Sequence, residues 1–197
     1  MRSCLFLVAV ILVSCLSIPQ IAQPAQAADY KIRVLGSFET DLTENTSFGE
    51  WTKTEIVTGL NASASVTRIS STQYHGTYST HLNATRSDLA SGAQAYLIFH
   101  SNSTFGTYWL SQITFMYKLS FPYGADGSGK YWFDQYNGST LLNHQYLELP
   151  SATAWTLVTI DPIWHPETDR FLLWFVAVST GSVPTGTISL IVDYVCA

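Results

Sequence analysis

Apolar and polar residues alternate with a period of two along most of this chain, and that alternation leaves no room for a helical fold. From Gln94 to His100, Ala95, Leu97 and Phe99 fall on one side and Gln94, Tyr96, Ile98 and His100 on the other. From Gln112 to Leu119, Ile113, Phe115, Tyr117 and Leu119 oppose Gln112, Thr114, Met116 and Lys118. Period two marks a half-buried strand. Further runs fall at Lys31–Leu35, Ser63–Ile69, Ser79–Ala84, Tyr131–Tyr136, Gln145–Leu149, Thr156–Ile160, Arg170–Val178 and Thr187–Val195. Breakers separate them at His75-Gly76, Ser91-Gly92, Pro122–Gly129, Asn137-Gly138, Pro150-Ser151, Asp161-Pro162 and Gly181–Gly186. No window holds an amphipathic helix of useful length. About ten short strands with no helices predict an all-β fold, an antiparallel sandwich or barrel.

The first 27 residues stand apart. Met1-Arg2 is a short basic start, Cys4–Val13 is apolar, and Ala25-Gln26-Ala27 offers a small-x-small cleavage site. This predicts a signal peptide at 1–27, one domain at 28–197, and a secreted or cell-surface protein. The apolar stretch of about 15 residues ends at Pro19, short of the roughly 20 that cross a bilayer, so no transmembrane anchor is expected. Leu12-Val13-Ser14-Cys15 resembles a lipobox, which makes a lipid on Cys15 the alternative. Cleavage leaves Cys196 as the one cysteine, either paired with another chain or inert at a strand end.

Composition narrows the partners. With 14% aromatic and 12% charged residues there is ample surface to bury, which excludes a disordered chain. Lys and Arg number 9, scattered from Arg2 to Arg170 without a stripe, so nucleic acid is excluded as a partner. Without Arg2 the balance is 8 basic against 14 acidic side chains, a mildly acidic surface. Sequons at Asn45, Asn61, Asn83, Asn102 and Asn137 predict an exported glycoprotein with its glycans near loops.

The order of local signals is similar to that of the jelly-roll carbohydrate-binding modules and their galactose-binding-like relatives. The matching pieces are Phe38-Glu39-Thr40, Trp51-Thr52, Ser70–Ser79 with its Gly76-Thr77-Tyr78-Ser79, Ile113–Tyr117, Trp155–Ile160 and Ile191–Val195. The resemblance covers nearly all of residues 36–196 and implies an antiparallel β-sandwich of jelly-roll type. It also implies a structural Ca²⁺ held by Glu39, Asp193 and the His75–Tyr78 backbone. Two successive aspartates are frequent in the family's last strand, whereas this chain has Asp193-Tyr194, one ligand fewer.

Catalytic machinery is not evident. The histidines at 75, 81, 100, 144 and 165 occur singly, and no Gly-x-Ser-x-Gly elbow or phosphate loop appears. No strand alternates the paired acids a glycosidase needs. The prediction is a non-enzyme with no catalytic residue.

Aromatic residues remain. Sugars stack their apolar faces on Trp and Tyr while flanking polar groups take the hydroxyls. Trp132, Asp134 and Tyr136 share one strand face, Tyr96 lies with Gln94 and His100, and Gln112 lies with Lys118. Trp174 joins them if Phe171, Leu173 and Phe175 face inward. Trp51 and Trp155 are assigned to the core, and Trp164 and Tyr123 to loops that would offer an edge site. The expected function is a secreted, glycosylated, non-catalytic domain that binds a polysaccharide or glycan through Trp132, Asp134, Tyr136, Tyr96 and Trp174. The alternative is a structural or adhesive surface protein, a filament or coat subunit that self-associates by adding Ala28–Leu35 to a neighbour's sheet.

Overall fold

The computed structural model describes residues 34–197 except 44, 47, 103–109, 124–126 and 181–184, and gives backbone alone for Asn45, Pro122 and Tyr123. The expected signal peptide, Cys15, residues 28–33 and the Tyr123 side chain lie outside the described residues. Those that are described contain strands and no helix.

The strands are β1 (Val34–Gly36), β2 (Asn45–Thr46), β3 (Gly49–Thr58), β4 (Ala62–Ile69), β5 (Ser79–Arg86), β6 (Gly92–Ser101), β7 (Ile113–Tyr123), β8 (Ser128–Asn137), β9 (Thr140–Leu149), β10 (Ala152–Ile160), β11 (Arg170–Ser179) and β12 (Gly186–Cys196). They form two antiparallel sheets. Sheet A runs β10-β7-β12-β5-β4, and sheet B runs β2-β3-β6-β11-β8-β9. In sheet A, β12 pairs with β5 as far as Val192↔Thr80, and β1 then takes over that side through Val34↔Cys196 and Gly36↔Val195.

Alternation explains the packing between the sheets. Ile113, Phe115, Tyr117 and Leu119 of β7 face Phe171, Leu173 and Phe175 of β11, all essentially buried. Trp51, 1% exposed, sits among Phe38, Phe99 and Phe175 at centroid distances of 5.4, 5.1 and 6.1 Å. Its indole N–H donates to Leu35 O at 2.6 Å, which satisfies the one polar atom the ring brings inside.

Three sequence expectations change. β3 went unseen because it carries polar residues on both faces: beyond Trp51 its inward positions are Lys53 and Glu55. These reach across to β4, where Glu55 accepts from the Val66 amide at 2.8 Å and Lys53 donates to Val66 O at 3.4 Å. Trp155 is not core. It lies half-buried on the outer face of sheet A, donating to Gln73 O at 3.1 Å, with Tyr74 and the Lys118 ammonium against its ring. Trp164 offers no edge site, because it packs edge-on against Phe133 and Phe171 and donates to Leu110 O at 2.8 Å.

Other expectations are refined. Asn61 and Asn137 sit at turns, but Asn83 is half-buried in mid-β5, paired with Ser65 and Ser189. Cys196 is buried, and that burial raises its thiol pKa. Val34 and Leu35, the described part of the expected donor strand, belong to or adjoin the pairing with this chain's own β12.

Candidate functional site

Directly paired residues of an antiparallel sheet point to the same side. The register of sheet B therefore lays out its outer face row by row. One row reads Thr52, Ile98, Trp174, Trp132 and Tyr146 from β3 to β9. The row on one side is Glu50, His100, Leu172, Asp134 and His144, and on the other Thr54, Tyr96, Val176, Lys130 and Glu148. Beyond the first of these flanking rows, Arg170 pairs with Tyr136.

The inward set Phe171, Leu173 and Phe175 is buried, so Trp174 is turned outward, as the condition on that strand required. A second apolar cluster, separate from the core, results: Tyr96, Ile98, Leu172 and Val176 with Trp132, Tyr136, Trp174 and Val178 against them. Trp132 lies 5.8 Å from Trp174, 6.1 Å from Tyr96 and 6.2 Å from the His144 ring. Tyr146 is 62% exposed and stacks on His144 at 5.7 Å. The structure thus brings all five sequence-selected residues onto one face. Trp132, Tyr136 and Trp174 are half-buried, whereas Tyr96 and Asp134 are nearly covered. Gln112 and Lys118 do not join them, since Lys118 is in β7 and Gln112 directly precedes it, in the other sheet.

Polar groups flank the rings. Buried Asp134 accepts from His144 Nδ1 at 2.5 Å, fixing the tautomer and plane of that imidazole. Lys130 and Glu148 are paired at 3.1 Å. Thr52 Oγ1 and His100 Nε2 are 2.9 Å apart, and the Tyr96 hydroxyl donates to Gln94. The Arg170 guanidinium lies 5.1 Å from the Tyr136 ring centroid. Burial lowers the pKa of His100 and raises those of Tyr96 and Tyr136. The buried indole N–H of Trp174 has no hydrogen-bond partner among the described residues.

His144, Tyr146 and Glu148 were missed as site residues. Asn137-Gly138 announces the β8–β9 hairpin, and Gly138 takes the left-handed φ of 57° that such a turn needs. Counted symmetrically from Asn137↔Thr140, Trp132 would face Gln145. A bulge between Gln135 and Tyr136 leaves Leu142 unpaired and moves the partner to Tyr146.

A second constellation lies against the loop before β5. Glu39 Oε1 accepts from the Thr77 and Tyr78 amides at 2.9 and 3.1 Å, and Asp193 Oδ2 accepts from the Tyr74 and His75 amides at 2.7 and 3.0 Å. Gly76 is required here: its φ is +73°, and a Cβ would stand 2.3 Å from Glu39 Oε1. The Tyr78 and Thr77 amides hold the Glu39 pKa below its usual value, while burial raises that of Asp193. The loop offers these carboxylates amides where the family resemblance implies carbonyls. Among the described residues Asp193 Oδ1 is nonetheless buried without a hydrogen-bond partner, an atom that an oxygen-seeking cation would suit. Among the described residues no cluster of three His, Cys, Asp or Glu side chains forms, so backbone carbonyls would have to complete a shell.

No family model and no curated protein matches the chain. Solved structures do. A structure of carbohydrate-binding modules of the β-sandwich superfamily aligns with a TM-score of 0.51 at 16% identity, over 81% of this chain and 59% of that one. This chain thus spans about three-fifths of the length of that relative. The family 11 carbohydrate-binding module from Clostridium thermocellum, in complex with a β-1,3-1,4-mixed-linked tetrasaccharide, aligns with a TM-score of 0.52 at 13% identity, over 84% of this chain and 94% of that one. The fold is an antiparallel β-sandwich of jelly-roll type, the fold these modules have. At such identities the likeness is one of fold alone.

Proposed function

We propose that this chain is a secreted, non-catalytic carbohydrate-binding domain that takes a glycan across the outer face of sheet B. One observation carries the proposal: Trp174, Trp132 and Tyr146 form a row of rings on adjacent strands of a face turned away from the core, where they do not serve the interior. Strands about 4.8 Å apart space such rings as a series of stacking surfaces. Sugar rings stack on aromatic faces, and the fixed His144, Lys130 and Glu148 beside them supply hydroxyl partners. The complex of a similarly folded module with a tetrasaccharide supports the reading. N-glycans on the exposed Asn61 and Asn137, and Ca²⁺ at Asp193 and Glu39, belong to the same proposal. The cation would tie the loop before β5 to the last strand.

The test is isothermal titration of the purified domain with oligosaccharides chosen from a glycan array, alongside W132A. Saturable binding that W132A weakens supports the proposal. A protein that binds no glycan on the array refutes it.

A further inference from the structure

We propose that the pocket lined by Thr46, Glu50, His100, Asn102 and Arg170 is a subsite for a neutral sugar unit, whose hydroxyls are held between Glu50 as acceptor and Arg170 as donor. The inference rests on reading the outer face of sheet B as a glycan platform, and it names both where that platform ends and the class of sugar it accepts.

Position comes first. The pocket has a volume of about 400 Å³, within the ~300–1,000 Å³ of small-ligand sites. Glu50 and His100 are directly paired on β3 and β6, on the same face as the rings. Arg170 begins β11, the strand that carries Trp174, and reaches this face beside Tyr136. A glycan crossing Tyr146, Trp132 and Trp174 from β9 to β11 comes next to β6 and β3. The pocket lies there, one residue pair along the strands, or roughly 7 Å.

Chemistry then selects the ligand. A carboxylate only accepts hydrogen bonds and a guanidinium only donates them, whereas a sugar hydroxyl does both. Glu50 and Arg170 line one pocket, and neither makes an ion pair with a described residue. Arg170 Nε is buried without a hydrogen-bond partner among the described residues. Both walls are braced, Arg170 over the Tyr136 ring and His100 against Thr52 Oγ1. Of the other polar groups nearby, Lys130 is paired with Glu148 and Asp134 is hydrogen-bonded by His144. With Glu50 opposite Arg170, the described residues of this face carry no surplus positive charge with which to hold a polyanion. An anionic sugar reaching Arg170 would meet the Glu50 carboxylate in the same pocket.

The experiment titrates wild type, E50Q, R170Q and W132A with neutral glucan, mannan and galactan oligosaccharides and with uronic-acid and sulfated oligosaccharides, at low and high NaCl. Expected are binding to a neutral oligosaccharide that is insensitive to salt, and a loss of about tenfold or more in both E50Q and R170Q, the scale of one charge-assisted hydrogen bond. Glu50 is exposed, so E50Q folds as wild type does and remains informative even if R170Q is destabilised. Binding that W132A weakens but E50Q leaves unchanged overturns the subsite while the platform stands. Preference for an acidic oligosaccharide, with E50Q binding it more tightly, overturns the neutral class. No glycan binding by wild type overturns the platform and the subsite together.

Discussion

Trp132 and Trp51 are the same side chain on opposite faces of one sheet, and truncating each separates the proposed platform from the core. Trp132 is half-buried, so W132A uncovers roughly 100 Å² of the ~200 Å² that an aromatic side chain buries, about 2.5 kcal/mol at ~25 cal/mol per Å². W51A empties a site that is 1% exposed, at a cost of about 3–5 kcal/mol. It also leaves Leu35 O without its donor, adding about 1 kcal/mol. At ~2–4 °C per kcal/mol for a domain of this size, W132A should melt ~5–10 °C below wild type and W51A ~8–24 °C below. Binding should move the other way round. Loss of a stacked ring costs about 1–3 kcal/mol by analogy with base-stacking platforms, a ~5- to 150-fold loss of affinity for W132A alone. Differential scanning fluorimetry and titration calorimetry measure the two quantities on the same samples. A folded W132A with unchanged affinity, or one that melts as low as W51A, would refute the assignment of Trp132 to a binding face.

Other expectations are as direct. Burial lowers the pKa of both His81 and His100, so the unfolded chain binds protons more tightly than the folded one below the ordinary histidine value of 6.5. Stability should therefore fall as pH drops from about 7 to 5, and H81N should flatten that slope in a series of melting curves. D134N should cost about 1.5–3 kcal/mol, because a buried charge-assisted hydrogen bond is lost, and should release the fixed tautomer of His144 in ¹⁵N NMR spectra. Ca²⁺ at a hundredfold over its Kd should stabilise by about 2.7 kcal/mol, raising the transition ~5–11 °C in wild type and not in D193N. A transition indifferent to chelator removes the cation from Asp193.

The fold was legible because strands with one buried face print their period directly into the sequence. β6, β7, β8 and β11 do so, and their inward residues fix Trp132, Tyr136 and Trp174 as outward. β3 was illegible for a physical reason: its inward Lys53 and Glu55 bind the Val66 backbone at the margin of the sandwich, so no apolar alternation is needed. Trp155 was misplaced because a large aromatic residue within a strand is ordinarily core, whereas here the loop before β5 folds over it. His144, Tyr146 and Glu148 depended on a one-residue bulge that no local residue preference announces. The pocket at Glu50 and Arg170 joins residues 120 positions apart in sequence, a relation that exists only once β3, β6 and β11 are side by side.

In β8 and β11 two messages are interleaved on one backbone. Odd positions such as Phe133, Phe171 and Phe175 build the interior, and even positions such as Trp132, Asp134 and Trp174 meet the outside. Substitution can therefore change the chemistry this surface presents while the interior stays as it is. Insertion or deletion of one residue within either strand cannot, because it would exchange the two messages and turn the rings inward and the core outward. The lineage of such a domain should accordingly diversify its even positions by point change, and vary in length only at turns and at places such as Leu142, where an unpaired residue is already accommodated.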